Sequence, residues 1–148
     1  MTERPRFHLA FPVHDLGEAR RFYGGVLGCP EGRSSDRWVD FDLHGHQIVA
    51  HLVPGTGQEG DARTDVDGHG VPVRHFGLLL DRTAWDALAR RLELARVPFV
   101  VEPHVRFAGQ PGEQATFFVR DPSGNALEMK AFRDEAQVFA RDAGAVTS

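Results

Sequence analysis

The chain has 148 residues, of which 41% are hydrophobic, and a net charge of −4 at pH 7. That length makes one domain, or two small repeats that share one core. The charge comes without a basic stripe, which argues against nucleic acid as a partner, and no apolar run is long enough to cross a membrane. The single cysteine, Cys29, excludes an intrachain disulfide. Together with the absence of an export pattern at the N-terminus, it predicts a cytoplasmic protein.

The first half of the chain predicts a module of one strand, one helix and three further strands. Asp15 is placed to cap the helix, whose apolar residues recur at helical spacing, and Gly28 ends it. Two alternating segments then meet at the turn His44-Gly45 and indicate paired strands. The module covers about 6–53. Its predicted elements are a strand at 6–13, a helix at 16–27, a short strand near 31–35 and strands at 38–43 and 46–53.

A loop over 54–72, rich in Gly and Asp, leads to a second module with the same order of elements over about 73–132. Thr83 is predicted as the N-cap of its helix, and an Asp-Pro-Ser-Gly turn at 121–124 precedes its last strand. The tail, 133–148, predicts a short polar helix and a frayed end. The predicted elements of the module are a strand at 73–80, a helix at 84–96 and strands at 98–102, 116–119 and 125–132.

The two modules carry metal-ligating residue types in comparable places. His8 and His75 each lie early in the first strand of a module, and Glu128 lies on the last strand of the second module. His51 is the metal-competent residue on the last strand of the first module, where side chains alternate between the two faces. Superposing the repeats predicts that His8, His75 and Glu128 face one cavity, with His51 as a candidate fourth member.

Two imidazoles and one carboxylate are a plausible ligand set for a divalent ion, because they leave positions open for water, substrate or dioxygen. All-N/O ligation suits Fe(II), Mn(II), Ni(II), Zn(II) or Co(II), and the sequence does not choose among them. Such an ion polarises a carbonyl, acidifies water or chelates a dihydroxy substrate. Each residue alone also fits an ordinary role: strand histidines are often only hydrogen-bonded, and Glu128 beside Lys130 fits an exposed charge pair. The coincidence of all three with the repeat favours the ligand role.

The chain resembles the vicinal-oxygen-chelate superfamily, which includes glyoxalase I, extradiol dioxygenases, bleomycin-resistance proteins and fosfomycin-resistance enzymes. The resemblance covers roughly residues 6 to 132 and respects the order of the two modules, and its last segment is the most specific. The matching segments are Phe7–Leu16, Ala19–Tyr23 with Leu27-Gly28, His75–Gly77 and Phe118–Glu128.

The resemblance implies an α+β fold of paired βαβββ modules. These would form a cupped, incompletely closed mixed β-sheet barrel with helices outside, around a divalent metal. By position, His8, His75 and Glu128 match the family's ligands on the first, fifth and eighth strands. His51 falls near the family's variable fourth-strand ligand.

The chain departs from the family's patterns in two places. Phe118 stands where the extradiol signature has a tyrosine, and no histidine lies between residues 105 and 117, so the acid–base help that ring cleavage needs is missing from its usual positions. His51 or Val49 stands where glyoxalase I has a glutamate. Neither activity therefore transfers intact, and the reaction stays open between a lyase or isomerase and a dioxygenase.

Two classes of function remain open from the sequence. The first is a metal-dependent enzyme that acts on a small oxygenated substrate chelated to the metal. The alternative is a bleomycin-resistance-type binding protein without catalysis; such binders have usually lost the ligand triad, so the retained histidines and glutamate favour the enzyme. The family commonly pairs modules across chains, which predicts a homodimer with ligands from one chain or from two.

Further candidate residues are expected around the predicted cavity. Arg106 and Arg120 are candidates for gripping an anionic substrate, although surface ion pairs are the commoner role of a single arginine. Phe118 is a candidate substrate contact. His51 either binds the metal or serves as an acid/base. The loop 105–114, with its glycines and polar ends, is a candidate lid or cavity rim.

Overall fold

The computed structural model describes residues 4–57, 63–66 and 68–141. The chain forms two compact units, which are Met1–Gly60 with Asp121–Asn125 and Asp61–Arg120 with Ala126–Ser148. Each unit contains one four-stranded sheet and follows the order strand, helix and three strands. The predicted α+β class with two βαβββ modules is therefore confirmed. Within the described residues neither sheet closes into a barrel.

The predicted elements are present in the predicted order, with two additional strands. The first unit consists of β1 (His8–Val13), α1 (Leu16–Ala19) with a π-helical continuation (Arg20–Val26), β2 (Glu31–Ser34), β3 (Trp38–Leu43) and β4 (His46–Leu52). The second consists of β5 (Arg63–Val66), β6 (His69–Pro72), β7 (His75–Leu79), α2 (Arg82–Leu94), β8 (Phe99–Arg106), β9 (Gln114–Arg120) and β10 (Ala126–Phe132).

The tail agrees with its prediction as far as it is described. A 3₁₀ turn at Glu135–Gln137 corresponds to the predicted short polar helix. The predicted frayed end, 142–148, lies outside the described residues. Among the helices that the structure describes, none has the length and apolar character to span a membrane.

The first sheet has the strand order β1-β4-β3-β2, with β1 parallel to β4 and the remaining pairs antiparallel. One face packs on the helical segment, where the Tyr23 ring lies 5.2 Å from Phe11 and 5.4 Å from Phe41 between centroids. Strand side chains alternate between faces. The opposite face therefore carries His8 and Gln47, which are partners in the β1–β4 register.

The first helix changes type half-way along. From Arg20 to Val26 it is π-helical, and the N–H of Leu27 donates to the carbonyl of Phe22, five residues earlier, at 2.9 Å. This segment includes Gly24 and Gly25, and glycine has low helix propensity. Apolar periodicity predicts that a helix forms at 16–27, but it does not predict the wider turn.

One of the two predicted helix caps is correct. The Oδ1 of Asp15 accepts the N–H of Glu18 at 2.9 Å, as expected for an N-cap. The prediction of Thr83 as the second N-cap is wrong. That helix begins directly after Asp81, whose Oδ1 accepts the N–H of Ala84 at 2.8 Å, so Thr83 lies inside the first turn.

The second sheet has the strand order β7-β10-β9-β8, with β7 parallel to β10. Helix α2 packs on one face, where the Trp85 ring lies 5.4 Å from Phe117 and its Nε1 donates to the carbonyl of Met129 at 2.9 Å. Phe118 and Glu128 are partners in the β9–β10 register, and each is the chain neighbour of a helix-facing residue, Phe117 or Met129. They therefore lie on the face that α2 does not cover.

The predicted loop at 54–72 is wrong in its second part, because it contains the hairpin β5–β6, with Gly68 at φ +83° in the connection. This Gly- and Asp-rich segment contains an apolar residue that packs in the core. Val71 is fully buried against Val101 and Phe118. The hairpin thus covers part of the face of the second sheet that carries Phe118 and Glu128.

Strand β8 also runs further than predicted, from Phe99 to Arg106 instead of ending at residue 102. Pro103 lies within it, at a register shift between Val101 and His104. Such an irregularity accommodates a residue that has no N–H to donate. The predicted lid at 105–114 is therefore reduced to the connection 107–113.

Candidate metal and substrate site

His75 and Glu128 lie side by side in the second unit. His75 begins β7, and Glu128 lies on the adjacent strand β10. The Nε2 atom of His75 is 3.3 Å from Oε1 of Glu128. Glu128 is only 8% exposed, and a buried carboxylate requires polar partners. Two of the three predicted ligands are therefore neighbours with donor atoms that point toward each other.

Both side chains are held by further hydrogen bonds. The Nδ1–H of His75 donates to the carbonyl of Pro72 at 2.7 Å, since a carbonyl can only accept. The neutral ring therefore has its lone pair on Nε2, the atom that faces Glu128. The hydroxyl of Thr116 donates to Oε2 of Glu128 at 2.5 Å. Phe118 packs edge-on against the His75 ring, with 5.0 Å between centroids.

Gly77 permits the close approach of the two strands at this point. It is the register partner of Glu128. A Cβ atom on residue 77 would lie 1.6 Å from the carbonyl oxygen of Glu128. No other residue type fits without displacing the backbone of Glu128, so Gly77 is part of what places the carboxylate.

Lys130 lies on the same face as Glu128, two residues further along β10. Its Nζ is 3.7 Å from Oε1 of Glu128, and the lysine side chain is 32% exposed. A cavity of about 220 Å³ is lined by residues that include His75, Glu128 and Lys130. The cavity therefore has an imidazole nitrogen, a carboxylate and an ammonium group on its wall.

His8 lies in the first unit with a fixed tautomer of the same kind. Its Nδ1 is 2.8 Å from Oε1 of Gln47, and Nε2 of Gln47 donates to Oδ2 of Asp40 at 3.3 Å. A carboxylate can only accept, so the amide nitrogen of Gln47 faces Asp40 and the amide oxygen faces His8. The Nδ1 of His8 must then donate, and its Nε2 carries the lone pair.

His51 is four residues along β4 from Gln47, the register partner of His8. At about 3.3 Å per residue, the two positions are about 13 Å apart along the strand. In the second unit Glu128 lies two residues beyond the partner of His75. The equivalent residue in the first unit is Val49. The register thus favours a cavity-facing or acid/base role for His51 over a fourth ligand on the same ion as His8, and its coordination stays a prediction.

The turn before β10 is organised around the buried carboxylate of Asp121. This group accepts the N–H groups of Ser123 and Asn125, the amide Nδ2 of Asn125 and the hydroxyl of Tyr23, at 2.8 to 2.9 Å. Burial raises the pKa of Asp121, against the lowering effect of these donors. Burial also raises the pKa of Tyr23 well above its ordinary value, and the neighbouring Asp121 adds to the rise.

The same turn is joined to β1 and the segment after it. The amide Nδ2 of Asn125 donates to the carbonyl of Pro12 at 2.8 Å. The hydroxyl of Ser123 accepts the N–H of His14 at 2.9 Å and lies 2.7 Å from its Nδ1. The Nε2 of His14 contacts Glu18 at 2.5 Å. These bonds tie the turn that precedes Glu128 to the core of the first unit.

The remaining predicted substrate contacts have different surroundings. Arg120 and His75 share the register partner Ala126, so the arginine lies on the site's face, two strands from His75. Arg106 ends β8, with its guanidinium 4.7 Å from the Phe107 ring. Phe118 is 2% exposed and packs in the core. Substrate binding by these residues stays a prediction.

The structure gives no cluster of three ligands within the part of the chain it describes. Across 4–57, 63–66 and 68–141, no group of three or more His, Cys, Asp or Glu side chains is arranged to hold a metal ion. His8 and His51 belong to the first unit, and His75 and Glu128 to the second. The joint binding of one ion by His8, His75 and Glu128 therefore stays a prediction.

The arrangement of two βαβββ units agrees with a family comparison. A family model described as the Glyoxalase/Bleomycin resistance protein/Dioxygenase superfamily matches residues 7–129. The chain belongs to this superfamily. The resemblance predicted from the sequence motifs is thereby confirmed, and the residues that carry it, from β1 to β10, span the match.

Solved structures of the same superfamily resemble the chain over most of its length. A glyoxalase/bleomycin resistance protein/dioxygenase from Alicyclobacillus acidocaldarius is 34% identical, with 91% of this chain and 96% of that one covered and a TM-score of 0.78. A lactoylglutathione lyase from Agrobacterium tumefaciens is 23% identical over 86% and 92%, with a TM-score of 0.61. The fosfomycin resistance protein FosX from Listeria monocytogenes is 16% identical over 93% and 100%, with a TM-score of 0.68. The last two show the superfamily fold alone. No curated protein matches the chain.

Four residues around the candidate ligands were not predicted as functional. Gln47 and Asp40 orient His8, Thr116 holds Glu128, and Lys130 faces the cavity. The sequence contained one usable signal: Lys130 is two residues from Glu128 on a strand, and such residues share a face. The other three depend on strand register, which the linear pattern does not fix.

Proposed function

We propose that the chain is a metal-dependent enzyme in which His8, His75 and Glu128 hold one divalent ion. The observation that carries this proposal is the pair His75–Glu128, whose donor atoms Nε2 and Oε1 lie 3.3 Å apart at a cavity. A divalent ion bound there would supply Lewis acidity to a substrate with adjacent oxygen atoms. The substrate class is a small oxygenated molecule, and the reaction is of the lyase or isomerase type or a dioxygenase.

The residues present fit such an ion in two respects. Metal-bound histidines almost always donate their second ring nitrogen to a carbonyl, carboxylate or water. His75 donates Nδ1–H to the carbonyl of Pro72, and His8 donates Nδ1–H to the amide oxygen of Gln47. Glu128 is held by Thr116 in the way that ligating carboxylates are supported. The N/O donor set accommodates Fe, Mn, Ni, Zn or Co.

The residues around the pair suggest how the chain treats the substrate. Phe118 and Val71 are buried beside the His75–Glu128 face, and they exclude water from one side of it. Glu128 is buried, so water screens its charge less and the charge acts more strongly on a group in the cavity. His51 is exposed on β4, and its ring makes no hydrogen bond to the residues that the structure describes, so it is the candidate for moving a proton.

Metal content tests the proposal. We expect His8→Ala, His75→Ala and Glu128→Gln to lower the metal-to-protein ratio strongly. The proteins are purified without chelators, and their metal content is measured by inductively coupled plasma mass spectrometry. The matched control is His44→Asn, which removes an exposed turn histidine at φ +51°, a conformation that Asn tolerates. Equal metal content in the wild type and the three variants would contradict the proposal. Substrate turnover compared with and without dioxygen then separates dioxygenase from lyase or isomerase chemistry.

We also propose a homodimer, with two sites per dimer. Light scattering is expected to give twice the chain mass of 16.4 kDa. Mixed dimers show whether ligands come from two chains. If His8 of one chain joins Glu128 of the other, mixing the His8→Ala and Glu128→Ala variants restores one intact site in each mixed dimer. If the ligands come from a single chain, mixing restores none.

The competing function is a small-molecule binding protein without catalysis. The cavity of about 220 Å³ is the feature that favours it. Under this alternative, ligand affinity would be the same before and after treatment with a chelator. Loss of affinity after metal removal supports the enzyme instead.

A further inference from the structure

We infer that Lys130 makes the site selective for substrates that carry an anionic group beside their metal-chelating oxygens. This inference rests on the proposed function and narrows its substrate class. The anionic group is a carboxylate, a phosphate or a phosphonate. Lys130 would contact it directly, as a specificity-determining residue.

The position of the amine supports a role toward a ligand. Nζ lies 3.7 Å from Oε1 of Glu128, beyond ordinary hydrogen-bond distance. The carboxylate already has a closer partner, since the Thr116 hydroxyl donates to Oε2 at 2.5 Å. Lys130 is therefore near Glu128 without being locked to it, and an ammonium group has three hydrogens to donate.

The charges at the site have the sign that an anion needs. Glu128 contributes one negative charge to this face, and Lys130 contributes one positive charge beside it. A divalent ion bound by Glu128 would add two more positive charges. A substrate that supplies only neutral oxygens would leave this excess uncompensated, whereas an anionic substrate balances it.

Lys130 carries the one side-chain amine of the sequence. Lys130 is the chain's one lysine, because arginine occupies the other basic positions. A lysine ammonium binds anions as a compact point charge, without the planar geometry that arginine imposes. The same fact makes Lys130 a unique target for amine-selective reagents, apart from the N-terminal amine.

The test uses two chelators that differ only in an anionic group. Acetohydroxamate supplies two adjacent oxygens, and phosphonoacetohydroxamate adds a phosphonate. Calorimetry would measure both affinities on Mn(II)-loaded wild type, Lys130→Met and Lys130→Arg. We expect the wild type to prefer the phosphonate by about tenfold or more. Lys130→Met should lose most of this preference while its acetohydroxamate affinity changes less than about twofold, and Lys130→Arg should retain part of it.

Two controls make the result specific. Arg82→Met removes a positive charge from α2, where Arg82 pairs with Asp86, and should leave the preference unchanged. In a second readout, phosphonoacetohydroxamate should protect Lys130 from acetylation, measured by mass spectrometry with the N-terminal amine as reference. Increasing salt should reduce the preference in the wild type.

The outcomes separate the two proposals. If the wild type loads no metal and binds neither hydroxamate, the proposed function fails and this inference falls with it. If metal and acetohydroxamate bind but the phosphonate preference is absent, or is equally strong in Lys130→Met, only this inference is overturned. Thermal unfolding of each variant shows that it is folded before its affinities are compared.

Discussion

Replacing Tyr23 by Phe probes the buried network that fixes the turn before β10. The hydroxyl of Tyr23 donates to Oδ2 of Asp121 at 2.8 Å, and the side chain is fully buried. The substitution keeps the ring, whose contacts with Phe11 and Phe41 hold the helix on the sheet. It therefore isolates one hydrogen bond out of the four that Asp121 accepts.

The expected loss is about 2 kcal/mol of unfolding free energy, because hydrogen bonds to charged groups contribute about 1.5–3 kcal/mol. The amide of Asn125 still donates to the same oxygen, which keeps the loss from the upper end of that range. For a chain of this size, this corresponds to a drop in Tm of about 4–8 °C. Urea unfolding at pH 7.5, followed by circular dichroism, measures it. A change below about 0.5 kcal/mol would contradict the reasoning.

The pH dependence gives an independent check on the same residue. Burial raises the folded-state pKa of Tyr23 well above its ordinary value of 10.0, whereas the unfolded chain titrates near that value. The folded state therefore holds the proton more tightly. Its contribution to stability is complete below pH 10 and is lost as pH rises through the folded pKa. Tyr23→Phe should lack this alkaline loss of stability.

The readout is unambiguous because the chain has one tyrosine. Tyrosinate absorbance at 295 nm should appear together with the loss of native circular dichroism. Ionisation near pH 10 in a protein that keeps its native spectrum would refute the account of a buried, hydrogen-bonded phenol.

Three further predictions concern the site and its supports. Gly77→Ala should lower the unfolding free energy by about 1–3 kcal/mol and reduce metal content, because its Cβ meets the carbonyl of Glu128. Gly112→Ala should do neither, because its Cβ meets no atom of the described residues within 4 Å. Ser123→Ala should cost about 1–2 kcal/mol in urea unfolding, since it removes the acceptor of the His14 N–H. If a divalent metal is bound, removing it with a chelator should lower the Tm, and adding the metal back at 100 times its Kd should raise the unfolding free energy by about 2.7 kcal/mol. An unchanged Tm after verified metal removal would contradict metal binding by the folded protein.

The sequence predicted the elements whose signals are local. Alternation located β3 and β4, the cap Asp15 located the start of the first helix, and the Asp-Pro-Ser-Gly turn located β10. The hairpin β5–β6 was missed because its buried residues, among them Val71, pack against residues far along the chain. Hydrophobic periodicity within the segment does not predict such a long-range contact.

Some residues of the candidate site could likewise be predicted from the sequence, and others could not. Repeat order was sufficient to place His75 and Glu128 on strands that prove to be neighbours, because a parallel pair follows from the module's connectivity. The choice of His51 over its neighbours on β4 needed the strand register. A shift of two residues changes the residue opposite His8 without changing any alternation signal, and the structure pairs His8 with Gln47.

The two units resemble each other in how they orient histidine but differ in the charge beside it. In each, the first strand carries a histidine whose Nδ1–H is donated to an oxygen, so that Nε2 is left as the basic atom. In the second unit the neighbouring strand adds Glu128, whereas the equivalent position of the first unit is the buried Val49. A carboxylate is needed to offset part of the charge of a divalent ion, and a valine cannot do so. The repeat therefore offers a similar nitrogen donor in each unit, whereas the carboxylate of the proposed ligand set comes from the second unit. We expect that loss of Glu128 lowers occupancy of the proposed metal site most.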